Sequence, residues 1–284
     1  MPRSVSTRKI FGVALLGLVP AGVAAAALSP LLPGYWGSLV FGLAWYVFAG
    51  AILVRLVGKT DVTLPRLMGR RPTGDEARRS AMLVFPLIAV MMGAVWLVFL
   101  PLSYLTPQLV VTWLLELPSL LILDEGRLPV AANLVNVIFI CVVVPVVEEF
   151  VFRGLLFHRW AEKWSPARAV VLSSIAFGVL HIDLLGHTFF GFVMCIVYMR
   201  SRSLALPILI HALNNTLVLV FLLAETGFQE TDSPYGLAEF QSDWWIGGLC
   251  LLVAVPWAFW FARKTWRPAD WRPPGWSEDG PILP

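Results

Sequence analysis

Charged residues make up only 14% of this 284-residue chain, against 58% hydrophobic. That shortage excludes a soluble domain of ordinary composition, in which about a quarter of residues are charged. Cysteine is sparse as well. Cys141, Cys195 and Cys250 each sit alone inside an apolar run, so neither a disulfide framework nor a thiolate metal site is indicated, and they read as small packing residues. The four histidines include no His-Glu-x-x-His pattern, which removes the helix motif of zinc peptidases. No internal repeat is visible, and this counts against a carrier built from duplicated halves.

What is present is long apolar segments. A mean hydropathy of +0.77 places the chain among polytopic membrane proteins, and the pattern predicts an all-α transmembrane bundle of about eight helices. The expected spans are Ile10–Leu28, Trp36–Leu56, Ala81–Leu102, a fourth opening at Val130, Ala167–Ile182, a short sixth over Thr188–Met199, Leu204–Ala224 and Trp245–Phe261. Ile10–Leu28 is long for a signal peptide and reads as the first span. Thr106–Pro129, punctuated by Trp113, Glu116, Asp124 and Glu125, reads as interfacial or re-entrant. Three regions follow: helices with a basic loop (1–129), a core (130–224), and a last helix with a proline-rich tail (225–284).

Placement of charge tests the span count independently. With both termini in the cytoplasm, 20 of the 21 Lys and Arg fall on the cytoplasmic side and only Arg127 lies outside. Adding or removing one span destroys that agreement. The outer loops collect acids, among them Glu116, Asp124, Glu125, Asp183, Glu225, Glu230, Asp232, Glu239 and Asp243.

The chain is organised around Pro145-Val146-Val147-Glu148-Glu149-Phe150-Val151-Phe152-Arg153-Gly154. Two carboxylates and a guanidinium at the end of an apolar run each cost a few kcal/mol without a partner. On a helix, Glu149 and Arg153 stand at i and i+4 with the acid first, the favourable order for an ion pair. Glu148 points about 100° away and lacks that partner. At ~1.5 Å of rise per residue, Glu148 and His181 lie about 20 Å in from the cytoplasmic boundary, and His211 and Asn215 lie about 13 to 20 Å in. An acid, two imidazoles and an amide at one depth satisfy the pattern of a hydrolytic site. Other readings of the same residues are a buried ion network that pins helices, histidines bonded to neighbouring carbonyls, and an asparagine joining two helices. His158 and His187, at predicted boundaries, read as exposed.

Glu148-Glu149-x-x-x-Arg153, Phe177-x-x-x-His181 and His211-x-x-x-Asn215, with Val-Phe-Arg-Gly after the glutamates, resemble the three-part motif of the CPBP family. That family comprises the CAAX-prenyl-protease and bacteriocin-processing membrane endopeptidases also labelled Abi. The resemblance covers roughly Asn133–Phe221. It implies that Glu148 is the catalytic glutamate and His181 its partner in activating water. It further implies that His211 and Asn215 stabilise the oxyanion and that Glu149 and Arg153 support them; Phe177 reads as packing, a wall beside His181. The expected substrate is a membrane-embedded or lipid-anchored protein or peptide in the lipid bilayer, with no nucleic-acid partner and a bacterial inner membrane as the setting. No cofactor is expected; the alternative is zinc held by Glu148, His181 and His211. Two further alternatives stand beside the peptidase: a proton-coupled transporter, and a non-catalytic immunity-type membrane protein.

Overall fold

A computed structural model of the chain describes residues 5–58, 64–116, 120–124, 127–228, 235–267, 276–277 and 280–281. The architecture is all-α. α1 (Thr7–Leu28) and α2 (Trp36–Val57) form an antiparallel hairpin, closed where Trp45 Nε1 donates to the Ala14 carbonyl at 2.7 Å. Two short helices, α3 (Leu64–Met68) and α4 (Gly74–Ala81), lie in the basic loop and lead into α5 (Val84–Leu105). Thr73 and Glu76 cap α4 reciprocally, so the sequence itself fixes where that helix begins.

After α6 (Pro107–Val110) and a π-helical turn at Val111–Leu115, one long rod runs from 130 to 163. It is built of α7 (Val130–Ile138), α8 (Val144–Glu149) and α9 (Phe157–Lys163), joined by π-helical turns at Phe139–Val143 and Phe150–Leu156. Pro145 explains the first of these. It has no N–H to offer the preceding turn, and the widened turn absorbs its ring. Then follow α10 (Pro166–Val179), α11 (Leu184–Ser201), α12 (Ala205–Phe228), α13 (Leu237–Ser242) and α14 (Trp244–Thr265).

Seven of these segments are long and apolar enough to cross a membrane, and α10, at 14 residues, is an eighth, shorter apolar helix. The chain is a multi-pass integral membrane protein. The fifth span expected over Ala167–Ile182 is shorter than that reading, because α10 stops at Val179 and the chain turns, with His181 N bonded to the Gly178 carbonyl. The sixth is longer, running Leu184–Ser201 because Asp183 caps it through Gly186 N. α11 is the centre of the bundle: 61% of its apolar window is buried, against 17–33% for the other six spans. Leu15, Leu16, Val19, Leu97, Val142, Leu252 and Phe259 instead face outward, as lipid-facing side chains do.

The segments assigned to one side of the membrane meet at one end of the bundle. Arg70 N donates to the Arg202 carbonyl (3.0 Å), Leu204 N to Met68 (2.9 Å), and Trp160 Nε1 to Thr7 Oγ1 (3.1 Å). Gly69 makes the first contact possible. Its φ is +70°, and a Cβ there would stand 2.0 Å from the Arg202 carbonyl oxygen. His158, expected to be exposed, is part of this seam: its Nε2 hydrogen-bonds Tyr198 Oη at 2.9 Å, and Tyr198 donates to the Leu67 carbonyl at 3.0 Å. Arg3, Lys59, Arg272, Glu125, Glu230, Asp232 and most of the proline-rich tail lie outside the described residues. Trp276–Ser277 pairs antiparallel with Gly280–Pro281.

Candidate active site

The rod places the two adjacent glutamates on different sides, as their helical phase requires. Glu149 is wholly buried. Its Oε1 accepts from Arg153 Nη1 at 2.9 Å and from His211 Nδ1 at 2.9 Å, so one carboxylate oxygen joins the rod to α12. Arg153, also wholly buried, donates through Nη2 to the Gly191 carbonyl of α11 at 3.1 Å, and its guanidinium lies 4.7 Å from the Phe177 ring of α10. A single ion pair thereby ties the rod to α10, α11 and α12. Gly191 is required there, because a Cβ would meet Ser174 Cα at 2.9 Å.

Glu148 is 15% exposed and has a different set of neighbours. Oε1 accepts from the phenol of Tyr46, on α2, at 2.6 Å. Oε2 is buried, makes no hydrogen bond, and lies 3.9 Å from His211 Nε2. Since Nδ1 of His211 gives its hydrogen to Glu149, Nε2 is the ring atom turned to Glu148. Glu148 and Tyr46 are the polar residues on the wall of an apolar cavity of about 330 Å³ between α1, α2 and the rod, whose lining includes Phe11, Leu15 and Leu180.

Asn215 and His181 are each held by backbone. Asn215 Nδ2 donates to the Ile140 carbonyl at 2.9 Å. Ile140 is the residue five before Pro145, so the asparagine supplies the donor that proline lacks. One amide hydrogen of Asn215 is left for another acceptor. His181, one turn past Phe177, donates Nδ1–H to the Phe177 carbonyl at 2.8 Å and stacks on that ring at 4.5 Å. Phe177 also lies edge-on to His211 at 5.9 Å, so it stands between the two histidines as a shared wall.

Tyr46 and His187 were not legible as site residues. Tyr46 lies 102 residues before its partner on a helix with no motif. His187, expected to be exposed, stacks on His181 with ring centroids 4.1 Å apart. Among the described residues no three His, Cys, Asp or Glu groups are placed to hold a metal ion, and Glu148, His181 and His211 do not form a ligand set.

A helical membrane bundle with a buried carboxylate–histidine cluster, one glutamate of which lines an apolar cavity, defines a membrane protein with a polar site inside it. Residues 130–217 match the model of the family described as Rce1-like, type II CAAX prenyl endopeptidase. The chain is similar to "Putative membrane peptidase YdiL" of Bacillus subtilis (strain 168), 35% identical over 85 residues, 29% of this chain and 35% of that protein. It is also similar to "Membrane-embedded CAAX protease MroQ" of Staphylococcus aureus (strain USA300), 30% identical over 96 residues, 31% of this chain and 39% of that protein. The chain thus spans little more than a third of the length of these curated relatives. No solved structure matches it. The segment matched by the family model is the one that carries the three motifs.

Proposed function

We propose that this chain is an intramembrane endopeptidase that hydrolyses a peptide bond of a membrane-embedded or lipid-anchored protein, with processing of the CAAX or sorting-signal kind. The observation that carries this reading is the state of Glu148. One oxygen is held by Tyr46, and the other is buried, without a hydrogen bond, and 3.9 Å from an imidazole nitrogen at the side of an apolar cavity.

The chemistry follows from those groups. Glu148 takes a proton from water, helped by His181, and the hydroxide attacks the scissile carbonyl carbon. His211, whose Nδ1 is held by Glu149, supports the tetrahedral oxyanion through Nε2 once that nitrogen carries a proton. Asn215 adds its remaining amide hydrogen. Glu148 then returns the proton to the leaving amine as the C–N bond breaks. Glu149 and Arg153 hold the histidine in place, and the reaction asks for no cofactor. An apolar cavity beside the base suits a substrate presented from the lipid rather than from water. With relatives in two bacteria and the basic ends gathered on one side, the setting proposed is a bacterial inner membrane with both termini cytoplasmic.

Reconstitution tests the reading. Protein in liposomes carrying a membrane-anchored peptide should produce two fragments, with one oxygen from labelled water in the new carboxylate. Movement of a solute or proton with no fragment formed would favour the transporter instead.

A further inference from the structure

At the basic end of the bundle a cleft of about 420 Å³ opens between α4, α11, α12 and α14, and it shares no residue with the cavity beside Glu148. Its walls have two characters. Ile196, Leu206 and Phe261 are buried apolar side chains, joined by half-buried Leu83, whereas Arg79 of α4 and Arg200 of α11 are exposed. Ser80 adds a hydroxyl donor.

The arginines lack a counter-charge. Neither makes an ion pair among the described residues, although Arg78, beside Arg79 on α4, pairs with Asp75 at 3.4 Å. The carboxylate on the wall, Glu76, is already engaged: Arg70 holds both its oxygens, and Thr73 N donates to it at 2.9 Å. Arg70 N also donates to the Arg202 carbonyl at 3.0 Å, which fastens the segment leading into α4 to the turn between α11 and α12. Two guanidinium groups thus share a cleft whose only acid is taken, and an anion between them relieves their repulsion.

The cleft lies where lipid headgroups lie. Leu83 immediately precedes α5, Arg200 and Ser201 close α11, Leu206 stands second in α12, and Phe261 is one turn from the end of α14. Each is within ~6 Å of the end of its span, about the depth of one headgroup layer. At the same end of α14, Arg263 and Lys264 stand over the rings of Phe259 and Trp260, at 5.2 and 4.7 Å. Basic and aromatic residues gather in this way at a membrane interface.

We propose that this cleft binds one anionic phospholipid, with Arg79 and Arg200 on the phosphate, Ser80 as a further donor, and the start of an acyl chain against Ile196, Leu206 and Phe261. A guanidinium offers phosphate two parallel donors, and basic pockets between spans at this level take up acidic lipids. A soluble phosphate leaves the apolar wall uncovered. A zwitterionic lipid covers it but brings a cation alongside the arginines. The bound lipid ties α4 to α11, the buried centre of the bundle.

The test titrates the full chain, in a neutral maltoside detergent, with phosphatidylglycerol and counts bound lipid by native mass spectrometry. Wild type is compared with Arg79→Gln/Arg200→Gln and with Arg8→Gln/Arg71→Gln, a control of equal charge change at exposed positions outside the cleft. Wild type should hold one phosphatidylglycerol in preference to phosphatidylcholine, and glycerol 3-phosphate should not displace it. The cleft variant should bind it roughly 30-fold more weakly, and the control should match wild type. Undiminished binding in the cleft variant, or an equal loss in the control, overturns the proposal. Displacement by glycerol 3-phosphate overturns it in favour of a soluble phosphate. Equal binding of phosphatidylglycerol and phosphatidylcholine by wild type overturns it without recourse to any variant. No peptide is present, so the outcome is independent of the peptidase reading.

Discussion

Tyr46 donates its phenolic hydrogen to Glu148 across 102 residues of sequence, at 2.6 Å, and so brings α2 into a site whose motif residues all lie on later helices. The bond leaves Oε2 as the oxygen facing His211. A hydrogen bond to a charged group contributes about 1.5 to 3 kcal/mol, which corresponds to roughly 10- to 100-fold in rate if it is made fully in the transition state. Tyr46→Phe should lower kcat by about that factor. Full kcat in Tyr46→Phe would show that the α1–α2 hairpin is only packing.

The buried pair makes a contrasting prediction. Glu149 and Arg153 are wholly enclosed, so removing either charge leaves the other uncompensated, at about 3 to 5 kcal/mol. Glu149→Gln and Arg153→Ala should both unfold at markedly lower temperature and denaturant than wild type. If their unfolding curves overlay the wild type, the pair does not hold the rod to its neighbours.

Asn215 has two jobs in this arrangement. Loss of an oxyanion donor should reduce turnover by roughly 10² to 10³, and loss of the donor to Ile140 should reduce stability by about 1 to 3 kcal/mol. Asn215→Ala is therefore expected to fail in both respects, measured as kcat and as unfolding free energy. A variant as stable as wild type would mean that Ile140 finds another donor.

Close approach of α10 to α11 positions Phe177 and His181. A Cβ on Gly178 would meet Thr188 Oγ1 at 2.1 Å and the Leu184 carbonyl at 2.6 Å. Gly178→Ala should push the helices apart at a cost of about 1 to 3 kcal/mol and lower kcat through displaced His181. An unaltered kcat and melting temperature would contradict that view of the interface.

How much of this was legible depended on the range of the interaction. The spans were readable because apolar length and the one-sided placement of basic residues are local properties. The Glu149–Arg153 pair was readable because i and i+4 fix a helix face, and its 2.9 Å contact follows from that spacing. Tyr46 was not, since the register of α2 against the rod is set by packing, as where Gly50 meets Val147, and not by a motif. His187 read as exposed because the turn after Val179, which swings His181 back over it, depends on backbone bonds to Phe177 and Gly178. The π-helical turns were likewise hidden, although Pro145 in the middle of an apolar run was a signal that something there must give.

The most direct test of the account replaces one atom. Glu148→Gln keeps the shape of the side chain and its contact with Tyr46 but removes the base, and it leaves the Glu149–Arg153–His211 cluster untouched. Cleavage of a membrane-anchored peptide in liposomes should vanish in Glu148→Gln while its unfolding temperature stays at the wild-type value. Cleavage at the wild-type rate by the same well-folded variant would contradict the assignment of Glu148 as the group that activates water.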